Sequence, residues 1–216
     1  LESFIIDVFF VNIYSFFCNN NATLHKMKRI LIFASGSGSN AENIIKHFAS
    51  SKVAVVTHVL SNNEHAKVFE RCERLKIDAS LFDKQDFTKE DTVLQFLQQE
   101  ADIIILAGFL WRIPQKIVHA FPNRIINIHP ALLPKYGGKG MYGMNVHKAV
   151  KANNEKETGI TIHYVNENYD EGAVIFQAKT TIIPSDTVED IANKIHILEQ
   201  EHFPRVIEEV ILKNGQ

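Results

Sequence analysis

The sequence predicts an α/β fold: a three-layer, mostly parallel, Rossmann-like sheet with a C-terminal antiparallel hairpin and a long C-terminal helix. Three observations carry that prediction. Four short runs, "RILIFA" (29–34), "VAVVTHVL" (53–60), "DIIILAG" (102–108) and "RIINIH" (124–129), are nearly continuous in Ile, Val and Leu. Strands read this way when both sheet faces are covered. Segments of helical periodicity separate them, and such βαβ alternation favours parallel pairing. After residue 155 the pattern changes to two strands joined by one polar turn, as in a hairpin.

The first strand runs into "ASGSGSNAENI" (34–44), a glycine-rich loop that opens a helix over 40–50 with Asn40 at its start. Further helices are expected over 63–76 and 87–100, begun by Asn63 and Thr88. The short helix over 114–120 opens with Pro114, which the first helical position tolerates. "TGITIHYV" and "AVIFQAKTTII" form the hairpin strands around the turn "NENYDEG". Residues 187–212 read as one amphipathic helix that Pro204 should kink or divide. "YGGKGMYG" (136–143) has the composition of a flexible covering loop.

A chain of 216 residues, 45% hydrophobic, suits one sizeable core, so residues 27–216 are expected to form a single domain. A formal net charge of −2 gives no positive field to attract nucleic acid. Cys18 and Cys72 lie far apart and match neither a disulfide framework nor a zinc site, which favours a reducing, cytoplasmic setting. Residues 1–26 begin with an apolar stretch interrupted by Glu2 and Asp7 and lacking a basic start. That is a poor secretory signal and a marginal membrane span. The segment is therefore expected to be an extension outside the domain, and the Asn21-Ala22-Thr23 sequon within it a chance match.

In open parallel sheets, ligands bind beyond the carboxyl ends of the strands. Gly36-x-Gly38-x-x-Ala41 formally fits a dinucleotide fingerprint, but that motif also wants an acid near the end of the second strand. Ser61, Asn62 and Asn63 occupy those positions. A phosphate-bearing substrate therefore fits the loop better than a dinucleotide, with a plain connecting turn as the alternative. Asn127 and His129, two apart on a strand, leave the same face. A carboxamide and an imidazole side by side can stabilise an oxyanion and move a proton. Asp170 lies in the hairpin turn, beyond His163; taken alone it is an ordinary turn residue, but within reach of His129 it would favour the imidazolium. The remaining histidines show no metal-ligand spacing, and no Gly-x-Ser-x-Gly elbow is present.

"ILIFASGSGSN", "LAGFLWRIP", "IINIHPALLPKYGGKGMYG", "TGITIHYVNENYDEGAVIFQ" and "LEQEHFP" together resemble, in order and spacing, the phosphoribosylglycinamide formyltransferases of the folate-dependent formyltransferase family. The resemblance begins at Met27 and leaves residues 1–26 unexplained. It implies transfer of a formyl group from 10-formyltetrahydrofolate to glycinamide ribonucleotide (GAR), in purine biosynthesis, without a metal. It implies Asn127, His129 and Asp170 as the catalytic trio, with Asp170 keeping His129 charged. Gly38, Ser39 and Asn40 would hold the substrate phosphate, and Glu199 the ribose. Leu110, Trp111, Arg112, Ile113 and Asn127 would line the folate site, with Lys89 near its tail. Trp111 departs from the family's frequent "GFMRIL", which has Arg at that position, and the loop "KYGGKGMYGMNVHKAV" departs from a "PG-x-x-x-H" form. The implied partners are small molecules, not nucleic acid or membrane, and the chain is a monomer or homodimer. Rival readings are formyltetrahydrofolate hydrolase and methionyl-tRNA formyltransferase, which would carry additional domains, a dehydrogenase, or a non-catalytic nucleotide-binding module.

Overall fold

Seven strands build one sheet: β1 (Lys28–Phe33), β2 (Ala54–Ser61), β3 (Asp78–Leu81), β4 (Ile103–Leu106), β5 (Ile125–His129), β6 (Glu157–Tyr164) and β7 (Val174–Thr181). The structure is a computed structural model describing residues 27–214. The expectations placed on residues 1–26, including Cys18 and the sequon, lie outside the described residues. The strand order is β3-β2-β1-β4-β5-β6-β7. β1 to β5 pair in parallel, while β6 runs antiparallel to β5 and β7 antiparallel to β6. Strand order reverses between β1 and β4, which opens a crevice at their carboxyl ends.

Helices α1 (Ser39–Phe48), α2 (Val68–Leu75), α3 (Lys84–Thr88), α4 (Thr92–Glu100), α5 (Gln115–Ala120), α6 (Met144–Ala152) and α7 (Val188–Asn214) complete the fold. Strand alternation divides the core in two. Ile30 and Ile32 pack with Val56, Ile105 and Ile126 against Phe203, Val206 and Ile207 of α7. Leu31 and Phe33 face the other way, toward Phe87, Leu97 and Ile117. Successive side chains point to opposite faces, so an unbroken apolar strand is what a sheet covered on both sides requires.

Several elements differ from the sequence expectations. Helix α2 starts at Val68, not Asn63, whose carboxamide instead makes turn bonds to the Ser35 carbonyl and the His65 N–H. The segment expected as one helix over 87–100 is two. α3 is capped by Asp83, which accepts from Asp86 N at 2.8 Å, and Thr88 ends this helix rather than starting one. β3, "DASL", is a short edge strand with little burial, so no apolar run marked it. The stretch after Gly143 forms α6 rather than continuing the loop. Pro204 does not divide α7. Its missing N–H leaves the Gln200 carbonyl one turn earlier without its helical donor, and Asn43 Nδ2 of α1 donates to that carbonyl at 2.7 Å.

Phe203 is fully buried on α7. Phe203→Ala should destabilise the protein by about 3–5 kcal/mol, read as a lower urea midpoint at unchanged slope.

Candidate functional site

The loop between β1 and α1 is shaped by two neighbours. Gly38 precedes α1 at φ 72°, and a Cβ there would lie 2.6 Å from the Val68 side chain, so both backbone and packing demand glycine. From α2, Val68 N donates to the Gly36 carbonyl at 3.3 Å and Arg71 Nε to the Ser37 carbonyl at 2.6 Å. The Arg71 guanidinium also pairs with Glu42 in the first turn of α1. Lys46, Arg71 and Arg74 together hold the Glu42 carboxyl down to about 2. The Asn40 carboxamide is engaged with Glu199 Oε2 at 2.9 Å and Gln200 Nε2 at 2.7 Å. The loop therefore offers main-chain donors at a helix N-terminus, the arrangement that suits an anion. Asn62, at the strand end that lacks a ribose-binding acid, accepts from Ser35 Oγ at 2.7 Å, and Ser35 Oγ accepts from Leu110 N at 3.1 Å.

Asn127 and His129 reach the cleft from the end of β5, paired across the ladder with His163 and Thr161. His163 Nδ1 lies 2.8 Å from the Tyr164 carbonyl. A carbonyl only accepts, so Nδ1 carries the proton and Nε2 accepts from Asn127 Nδ2 at 3.1 Å. That contact fixes which way the Asn127 carboxamide faces. By the same reasoning His129 donates from Nε2 to the Tyr136 carbonyl at 2.7 Å. Its Nδ1 then lies 3.6 Å from Asp170 Oδ2, and Asp170 Oδ1 lies 3.7 Å from His163 Nε2. Asp170 Oδ2 also accepts from Gly138 N at 2.8 Å. Asp170 adopts φ 57°, a left-handed conformation that Asp tolerates better than most residues. Two residues later a Cβ on Gly172 would lie 1.7 Å from the Tyr164 carbonyl, so glycine lets this turn close onto β6.

Burial pushes the His129 imidazole below its ordinary pKa, against the opposing pull of Asp170 and the Tyr136 carbonyl. The pull of Asp170 toward a charged His129, expected from the sequence, is present, and burial acts against it. The residue is 3% exposed, while 3.6 Å is too long for a hydrogen bond to the carboxylate. Burial likewise lowers His163 and His147. It raises Glu199, against Asn40 and His196, and pushes the Cys72 thiol up to about 11, which makes that cysteine a poor nucleophile.

One cleft of about 510 Å³ brings together Gly38, Ser39, Asn40, Asn127, His129, Asp170 and Glu199. Leu110, Trp111, Arg112 and Ile113 line it too and continue into an adjoining cleft of about 590 Å³. Trp111 packs edge-on and tilted against Phe82 and Phe87, and Arg112 lies over the Tyr169 ring at 5.7 Å. Lys89 lines neither cleft; it follows α3, with its carbonyl 3.5 Å from Lys116 Nζ. Lys84 and Thr88 line the outer cleft instead. His163 and His147 join the site although the sequence pattern gave neither a role. The two "x-I-H" strand ends signalled His163, whereas His147 lies on the helix that was not anticipated. Among the described residues no group of three or more His, Cys, Asp or Glu is arranged to hold a metal, and no helix is long and apolar enough to cross a membrane.

The sequence profile of the formyl transferase family matches residues 28–207. The chloroplastic phosphoribosylglycinamide formyltransferase of Arabidopsis thaliana is 37% identical over 82% of this chain and 62% of its own length. The chain thus spans less than two thirds of that plant relative. Phosphoribosylglycinamide formyltransferase of Bacillus subtilis is 34% identical over 88% of this chain and 98% of its own. Among solved structures, glycinamide ribonucleotide transformylase 1 from Geobacillus kaustophilus superimposes with a TM-score of 0.79 at 34% identity, covering 86% of this chain and 100% of that one. With a matching profile over most of its length and the same architecture as these relatives, the chain belongs to the formyl transferase family.

Proposed function

We propose that this chain transfers a formyl group from 10-formyltetrahydrofolate to the amine of GAR, in purine biosynthesis. The observation that carries this reading is the single cleft joining an anion-binding glycine loop to the Asn127–His129–Asp170 cluster. The names of the relatives above support the same substrates. The cleft's volume lies in the range of small-molecule sites. Its Leu110–Ile113 wall, with Val165, offers apolar surface beside polar groups and fits a folate ring system. The folate supplies the formyl carbon and the departing nitrogen.

The protein's own part follows from the geometry. Main-chain N–H groups of Gly38, Ser39 and Asn40 hold the phosphate, and Glu199 bonds the ribose. His163 takes one Asn127 Nδ2 hydrogen and thereby aims the carboxamide. The other stabilises the oxygen that gains charge as the amine attacks. His129 takes up the proton that the amine releases and passes it to the departing folate nitrogen as the bond from that nitrogen to the formyl carbon breaks. At Nδ1 that proton turns the 3.6 Å contact with Asp170 from lone pair against carboxylate into an ion pair. Asp170 thus stabilises the imidazolium when it forms, against the burial that disfavours it. Residues 27–216 acting as one unit, and a cytoplasmic setting inferred from the two separated cysteines, complete the reading.

Mixing GAR and 10-formyltetrahydrofolate with purified protein should change the folate absorbance; folded protein without turnover would overturn the assignment. His129→Ala should lower kcat by about 10²–10⁴-fold while leaving GAR affinity intact. Gly38→Ala should do the reverse, weakening GAR binding through loop strain. Titrated by NMR, His129, His147 and His163 should protonate below the ordinary imidazole range. Their folded pKa values lie below the unfolded ones, so their stabilising contribution is complete above that range and is lost as pH falls through it. Glu199, raised by burial, contributes with the opposite sign. Ordinary histidine titrations would contradict this account of the resting site.

A further inference from the structure

The Tyr136 carbonyl bonds His129 in the site described above, but the Tyr136 phenol has no task there. Tyr136 sits at φ 58°, a conformation unusual for an aromatic residue. Its carbonyl accepts the His129 Nε2 proton at 2.7 Å, and two residues later Gly138 N donates to Asp170 Oδ2 at 2.8 Å. One short arch therefore supports both the imidazole and the carboxylate. Beyond the arch the bonds are local, Met141 N to the Gly138 carbonyl and Asn145 Nδ2 to the Gly140 carbonyl, and Gly140 and Gly143 have positive φ. A longer-range constraint comes from the Tyr136 side chain. Tyr136 Oη donates to Glu155 Oε1 at 2.9 Å, beyond the C-terminus of α6, and the ring packs beside Ala131 and Val146. Lys135 Nζ shares the same carboxylate oxygen at 3.0 Å.

We propose that Tyr136 and Glu155 are positioning residues for the formyl-transfer reaction: their phenol–carboxylate bond closes the base of the glycine-rich loop and fixes the carbonyl that sets the His129 tautomer. With Nε2 held protonated, Nδ1 is the nitrogen left to gain a proton beside Asp170. The roles within the clamp are assigned chemically. Burial pushes the Tyr136 phenol up, and hydrogen bonds from Lys135 and Tyr136 lower Glu155, so the phenol donates and the carboxylate accepts. Facing His129 are Asp170 from the β6–β7 turn, His163 from β6 and His147 from α6. Facing the clamp are Lys135, Asn153 and Glu157. None of these bonds the Nε2 proton; that contact belongs to Tyr136.

The clamp rests on the formyl-transfer reading for its consequence but not for its detection. In ligand-free protein, imidazole 15N shifts should give His129 protonated at Nε2 and bare at Nδ1. Tyr136→Phe and Glu155→Ala should each mix the tautomers, lower kcat by about tenfold with KM for GAR little changed, and move the pH–kcat profile. The double variant should be no worse than either single one, because both remove the same bond. Glu155→Gln keeps an acceptor for the phenol and should restore most of kcat. Lys135→Met removes only the ion pair and should leave both tautomer and kcat unchanged. Folding of each variant is checked by its melting temperature, and Glu155→Ala provides the test if Tyr136→Phe does not fold. Unaltered tautomer, kcat and pH profile in the folded variants would overturn the clamp. Absence of turnover in the wild type would instead sink the formyl-transfer reading, with the 15N shifts still reporting on the clamp.

Discussion

The register between β5 and β6 is the constraint on which the site depends. Asn127 lies opposite His163 and His129 opposite Thr161, and side chains on a strand alternate between faces. A slip of one residue would turn Asn127 and His129 to the other face while moving Ile126 and Ile128 to the wrong layer. The apolar core thus fixes the geometry of the Asn127–His129 pair. Thr161, fully buried, adds a local lock: its hydroxyl donates to the Ala131 carbonyl at 2.7 Å and accepts from Leu133 N at 3.0 Å. The chain leaving His129 is consequently fixed before the glycine-rich loop begins. The β6–β7 turn leaves β6 beside the start of β5, where Tyr164 lies opposite Ile126, and folds back so that Asp170 lies near both His129 and His163.

Electrostatics in this region are a contest between burial and partners. His129 and His163 are both nearly inaccessible, and Asp170 lies between them beyond hydrogen-bond length from either. Burial therefore disfavours charge on both rings, and their backbone partners define the tautomers. The glycine loop shows the opposite balance. Glu42 is buried, which is costly for a carboxylate, yet Lys46, Arg71 and Arg74 surround it and keep it ionised. Those contacts fasten α1, α2 and the Ser37 carbonyl together at the glycine loop.

Much of this was legible because the relevant signals are local. The four apolar runs, the glycine loop and the Asn-x-His strand end announce parallel strands and what their carboxyl ends carry. The failures are equally physical. β3 is short and polar because it is an edge, so it lacks the signature of a central strand. Asn63 resembles a helix cap, but its carboxamide serves a turn. The Pro204 expectation followed from backbone chemistry alone, and only the long-range bond from Asn43 offsets it. Lys89 lies in a polar segment and lines neither cleft, and the helix before it places Lys84 and Thr88 along the outer one. Asp170 and His129 are far apart in sequence, so the balance between attraction and burial could be weighed only once the fold joined them.

A crystal structure with GAR bound tests the central claim most directly, that one cleft presents a phosphate site and a proton-transfer site to the same molecule. The account predicts the phosphate against the main-chain N–H groups of Gly38, Ser39 and Asn40, with the amine directed toward Asn127 and His129. A phosphate seated elsewhere, or an amine turned away from that pair, would contradict it.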